Sequence, residues 1–205
     1  MVECVKHASV PPMGREATVV FIDGGYLNKV AEHELCCRVD MGHLVPAILG
    51  WMEARGATPF LLRAYYYNCL PWMPEEPTGA DEERFRRMQA YLDFVRSLGR
   101  FMVRVGVLRH RGFGADGQPV LVQKRVDLML GLDLAMHVAR RDVLHVVLLT
   151  GDGDMVPAAQ LAREHGMLVW LVHGANVSAD LLRSVDEKIT MTTDWVPMRK
   201  DAAAR

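Results

Sequence analysis

The 205-residue sequence has none of the paired-cysteine or paired-histidine spacings that mark a zinc site. Cys4 lies near the N-terminus, Cys36 and Cys37 are adjacent, and Cys69 stands alone, so no CxxC occurs. The eight histidines show neither HxxxH nor HxH spacing. A zinc centre or a disulfide framework is therefore not expected. A GxxxxGK[ST] phosphate loop is also missing, which counts against a phosphotransferase. The longest apolar runs, such as Val143–Thr150 and Met167–Val172, are far too short to span a bilayer. Met1–Glu16 lacks the apolar core of a secretory signal. These absences lead to the expectation of a soluble, cytoplasmic protein without membrane association. An excess of one charge is missing too. The formal net charge of -1 excludes a uniformly basic protein that coats nucleic acid. It leaves room for a local basic groove, because carboxylates mask basic residues in the sum.

Half of the chain is apolar, ample for a core, and the length fits one domain. Residues 1–16, with Pro11-Pro12, show no periodicity and read as a tail. Ala17–Ile22 is a short β-branched run that stops at Asp23-Gly24-Gly25, the pattern of a buried strand and a tight turn. Further strands are expected at Phe60–Tyr67, Phe101–Leu108, His145–Thr150, Met167–His173 and Lys188–Thr193. Between them, apolar residues recur at helical spacing over His43–Arg55, Asp81–Leu98, Val126–Ala139 and Val156–His165. Tyr26–Leu35 and Ser178–Ser184 are shorter helix candidates, Leu70–Gly79 is a proline-rich connection, and Arg109–Gln118 reads as a glycine-rich loop. Strands that are apolar throughout, alternating with helices, predict a three-layer α/β sandwich around a mainly parallel sheet. One domain is expected over 17–195, with a second tail at 196–205.

Open parallel sheets bind ligands beyond the carboxyl ends of their strands, where the strand order reverses. Asp23 follows the first strand directly and Asp152 follows the fourth by two residues. If the reversal falls between those strands, the two carboxylates converge. A hard cation such as Mg²⁺ or Mn²⁺ takes oxygen ligands and keeps several waters, so two or three carboxylates suffice. Asp127, at the start of a helix, can reach forward from the first turn. Asp133 lies six residues on, about 120° away around the helix, which suits a place behind the site. Aspartates after strands are also ordinary turn formers and helix caps. Asp154, just before Val156-Pro157, has the position of a cap as much as of a ligand.

VVFIDGGYL (19–27), RAYYYN (63–68), QKRVDLMLGLDLA (123–135), LLTGDGDMVPAAQLAREHG (148–166) and SADLLRSVDEKITM (178–191) together resemble the NYN domain family, a branch of the PIN-like nucleases. The resemblance implies a Rossmann-like sheet of order 3-2-1-4-5 and metal-dependent endoribonuclease activity with Mg²⁺ or Mn²⁺. The family's acidic positions fall on Asp23, Asp127, Asp152 and Asp154, and Asp133 matches a position that is frequently acidic. Two positions depart from the pattern. Tyr26 stands where the family often has Asn, with Asn28 two residues further on, and Asn68 stands in place of an acid.

Nucleic acid needs cations for phosphates and flat side chains for stacking. Lys124 and Arg125, close to Asp127, and Arg109 beside the glycine-rich stretch are the expected substrate-binding residues, together with Asn28. Tyr66 is expected in the core, with Tyr65 and Tyr67 open to a stacking role. Arg84, Arg86 and Arg87, interleaved with Glu82 and Glu83, read as an ordinary solvated helix face. The expected partner is RNA, in single-stranded regions, and a homo-oligomer is left open. The alternative is a non-catalytic RNA-binding or regulatory module on the same fold.

Overall fold

The computed structural model describes residues 11–114 and 119–199. Among them, β1 (Glu16–Asp23), β2 (Pro59–Cys69), β3 (Phe101–Phe113), β4 (Pro119–Lys124), β5 (His145–Leu149), β6 (Leu168–His173) and β7 (Glu187–Thr190) form one sheet. The helices are α1 (Gly24–His33), α2 (Met41–Glu53), α3 (Gly79–Ser97), α4 (Val126–Arg140), α5 (Val156–Glu164) and α6 (Ala179–Arg183), with a 3₁₀ turn at Gly153–Met155.

Residues 17–22 of β1 are buried, and successive side chains feed opposite layers. Val19 and Phe21 pack with α4, α5 and α6, whereas Val20 and Ile22 pack with α1, α2 and α3. This two-sided burial is why the parallel strands are apolar without alternation. It also settles Tyr65–Tyr67, none of which is free to stack on a substrate. Tyr65 and Tyr67 lie with Phe21 in one layer, the Phe21 and Tyr65 rings 5.2 Å apart, and Tyr66 is fully buried in the other.

The order is β4-β3-β2-β1-β5-β6-β7, parallel except for β4. It differs from the five-stranded 3-2-1-4-5 arrangement. An antiparallel strand is inserted at one edge and β7 is added at the other. The antiparallel strand directly follows the expected loop Arg109–Gln118, the first part of which is itself strand. β3 runs on to Phe113, and Leu121–Lys124 pair back against Val107–His110. The apolar run Val120-Leu121-Val122, two of its three residues β-branched, suits strand pairing, while residues 115–118 of the expected loop lie outside the described residues. The terminal boundaries differ as well. Glu16 opens β1, its N–H donating to the Thr58 carbonyl and its carboxylate accepting from the Thr58 N–H at 2.7 Å. Val196 is buried and Met198 bridges Val39.

The reversal of strand order falls between β1 and β5. From β1 the chain adds β2 and β3 on one side, then crosses to β5 on the other. Among the described residues, no helix is long and apolar enough to cross a membrane.

Candidate active site

At the carboxyl end of β1, Asp23 turns the chain into α1. Its Oδ1 accepts from the Tyr26 N–H at 3.1 Å and caps the helix. Asp152 does the same after β5, accepting from the Asp154 N–H at 2.9 Å at the head of the 3₁₀ turn. Asp152 is thus the capping residue of this turn. Asp154 is exposed, and α5 begins after Met155 without a side-chain cap. Asp127 projects from the first turn of α4. Its N-cap, Arg125, is held in the left-handed conformation at φ +77°.

Asp23, Asp127 and Asp152 line one cleft of about 550 Å³, with Lys29, Ser178 and Asn176 on its walls. Burial raises the pKa of Asp23. The Tyr26 and Gly25 N–H groups oppose that rise, and the charges of Asp127 and Asp152 add to it. Asp127 is raised as well, by partial burial and then by Asp152 and Asp154. The acids therefore feel each other's charge, a situation that a cation relieves. Among the described residues, no three His, Cys, Asp or Glu side chains close on one point to hold a metal by themselves. The all-oxygen donor set and the open cleft fit a hard cation that keeps part of its water shell.

Of the other expected residues, Asp133 is tied elsewhere. It receives Arg104 through two hydrogen bonds of 2.9 Å and the Tyr67 hydroxyl at 2.9 Å, so it fastens α4 to β2 and β3. Lys124, Arg125 and Arg109 are exposed along β3, β4 and the start of α4, outside the cleft walls. Asn28 faces a neighbouring groove. Lys29, Asn176 and Ser178 were not singled out in the sequence. Lys29 returns to the cleft one helical turn after Gly25, whereas Asn176 and Ser178 reach it only through the loop after β6.

The two departures have structural explanations. The Tyr26 hydroxyl accepts from the Gly174 N–H at 2.8 Å and its ring packs on Gly151, joining α1 to the loops after β5 and β6. Asn68 is buried, donates to the Tyr66 hydroxyl at 2.9 Å and accepts from the Cys69 N–H.

Fold and site together define an α/β protein with an acidic cleft at the switch point of its sheet. The NYN domain model matches residues 17–192, and the chain belongs to that family, within the PIN-like nuclease superfamily. A crystal structure of a protein of unknown function from Vibrio parahaemolyticus is similar, with a TM-score of 0.60 at 16% identity. The match covers 91% of this chain and 99% of that one, and at this identity it speaks to fold alone. No curated protein matches the sequence.

Proposed function

We propose that the protein is an endoribonuclease that hydrolyses phosphodiester bonds in single-stranded regions of RNA, with Mg²⁺ or Mn²⁺ held by Asp23, Asp127 and Asp152. The observation that carries this reading is the meeting of three carboxylates in one cleft at the sheet's switch point. A bound ion supplies Lewis acidity toward the phosphodiester and a lowered pKa for an attacking water.

The chain's own residues prepare that chemistry. Capping occupies Oδ1 of Asp23 and of Asp152 and leaves acceptor capacity on each carboxylate. Lys29 puts a cation on the cleft wall, where a phosphate is attracted and negative charge building up in the reaction is offset. Asn176 and Ser178 add neutral polar groups to the same cleft. Asp154 flanks the centre and raises the proton affinity of Asp127. Arg109, Lys124 and Arg125 form an exposed basic rim that draws in the RNA backbone.

Labelled single-stranded RNA, incubated with purified protein and Mn²⁺ or EDTA, tests the reading. Cleavage should need the metal and fall at least about a hundredfold in both Asp23→Asn and Asp152→Asn, since even residues behind a metal's ligands cost roughly 10–100-fold when changed. RNA binding without cleavage supports the non-catalytic module instead. Equal cleavage by wild type and both variants rejects the enzyme and identifies a contaminant.

A further inference from the structure

Beside the acidic cleft, on the α1–α3 side of the molecule, lies a larger groove of about 910 Å³. Leu27 and Tyr91 contribute to its apolar lining, and Arg38, Arg84, Arg87 and Arg199 supply four cations against the single acid Glu32. Arg84 and Arg87 stand one turn apart on α3, in exposed pairs with Asp81 and Glu83 that hold them only weakly.

Arg38 and Arg199 are different. Val39 and Met198 form an antiparallel bridge, framed by the Asp40 N–H donating to the Pro197 carbonyl at 2.8 Å and the Arg199 N–H donating to the Arg38 carbonyl at 2.7 Å. The next pair in that register is Arg38 opposite Arg199. Neither has an ion pair among the described residues, and both are exposed at the groove. Like charges placed directly across a strand pair are destabilising. Two cations at opposed backbone positions on one groove suit a shared anionic ligand.

The position of the groove indicates which anion. Helix α1 separates it from the acidic cleft, with Lys29 on the cleft side and the adjacent Asn28 on the groove side. One helix width, about 10–12 Å, is a short span for an extended polynucleotide. Cations from three separate chain segments suit phosphates repeated along a strand. We infer that this groove is a second binding segment for the RNA strand that enters the acidic cleft, with Arg38, Arg199, Arg84 and Arg87 on its phosphates and bases against the apolar lining. The inference rests on the RNA reading of the cleft.

Binding is measured separately from cleavage, with full-length Asp152→Asn protein in EDTA and fluorescently labelled single-stranded RNA of two lengths. One is only a few nucleotides long and the other is several times longer, and salt is varied. In the R38A/R199A variant the slope of log K against log salt for the longer RNA should become shallower by about 1.4, at about 0.7 for each single-strand phosphate contact. Its affinity should drop about tenfold or more at low salt, while the shorter RNA is unaffected. R38K/R199K should retain the slope, because lysine keeps the point charge. Without RNA, R38A/R199A should unfold at the same temperature as its parent or higher, since it removes two exposed cations that have no ion pair among the described residues.

An unchanged slope and affinity in R38A/R199A overturns the inference, as does an equal loss for both RNA lengths. Failure of the longer RNA to bind, or displacement of a labelled acidic peptide but not of RNA by the double substitution, overturns it too. If the longer RNA binds as expected but the wild-type protein cuts no RNA with Mn²⁺, the nuclease reading fails and the groove stands. Metal-dependent cleavage with an unchanged salt slope gives the reverse.

Discussion

A methyl group on Gly151 would lie 2.3 Å from the Asn176 carbonyl oxygen and 2.4 Å from the Tyr26 ring. Backbone on one side and a ring edge fixed by its own hydrogen bond on the other leave it nowhere to go. Gly151→Ala should therefore destabilise the protein by about 1–3 kcal/mol, seen as a lower midpoint in chemical denaturation. Gly131, in the middle of α4, has nothing within 4 Å of the same position. Gly131→Ala should raise stability by about 0.5–1 kcal/mol, through helix propensity and a less flexible unfolded chain. Asp23 makes a prediction of a different kind. Burial raises its pKa, opposed by the Tyr26 and Gly25 N–H groups and reinforced by the charges of Asp127 and Asp152. The stability linked to such a group is fully present below its unfolded pKa and is lost as pH rises through the folded pKa. Asn at this position still accepts the cap from Tyr26 without carrying charge. In EDTA at neutral pH, Asp23→Asn should melt above the wild type, and the difference should vanish as pH falls below the unfolded carboxylate value. A variant that melts below the wild type at neutral pH would show that the acid is not held at a cost.

At the scale of elements, α4 is the piece whose placement matters most, because it carries Asp127 to the cleft. Its attachment to the sheet is polar as well as apolar. Asp133 accepts from Arg104 on β3 and from Tyr67 on β2, beside the packing of Leu130 and Leu134. Removing the carboxylate strands a buried hydroxyl, since Tyr67 is fully covered. Asp133→Ala should cost about 1–3 kcal/mol in chemical denaturation, and Asp133→Asn, which still accepts, should recover part of it. Loss of activity in Asp133→Ala should come with weakened Mn²⁺ binding, because the helix bearing Asp127 has lost its fastening. Full stability in Asp133→Ala would refute this role. The β3–β4 hairpin is the other element that changes the picture. It projects the sheet beyond β2 and stacks His110 on Trp72, ring centroids 4.8 Å apart, at the start of the proline-rich connection.

For the whole molecule, the proposed metal site predicts a linkage between folding and a bound cation. A cation that binds the folded cleft and not the unfolded chain stabilises by about 2.7 kcal/mol at a hundredfold excess over its Kd. For a chain of this size that corresponds to a rise of roughly 5–10 °C in melting temperature, at about 2–4 °C per kcal/mol. Mn²⁺ should produce such a rise in the wild type, EDTA should reverse it, and a protein carrying Asp23→Asn and Asp152→Asn should show none. An equal rise in that double variant would place the ion elsewhere.

Much of this arrangement is legible along the chain because the signals are local. The β1 and β5 runs are apolar without interruption and end at Asp23-Gly24-Gly25 and Gly151-Asp152-Gly153. Burial of both sheet faces and the turn chemistry that follows are thus written in adjacent residues. The helical stripes of α2, α3 and α4 follow from spacing in the same way. Other features depend on residues far apart in the chain. Which of Asp152 and Asp154 caps the turn depends on backbone conformation, and the partners of Asp133 lie on β2 and β3. Tyr65 and Tyr67 are buried because a second helical layer covers their face, which alternation along one strand does not reveal. Arg109–Phe113 becomes strand because Pro119–Lys124 returns to pair with it. Arg38 and Arg199 come from the α1–α2 connection and the far end of the described chain, and only the strand pairing at Val39 and Met198 sets the two residues opposite each other. The sequence by itself determined the layered α/β architecture and the acids at its strand ends, since both arise from neighbouring residues. Tertiary structure alone decided which carboxylates share the cleft and which is spent on fastening a helix. It also decided where the arginines gather, because each depends on elements meeting across the sheet.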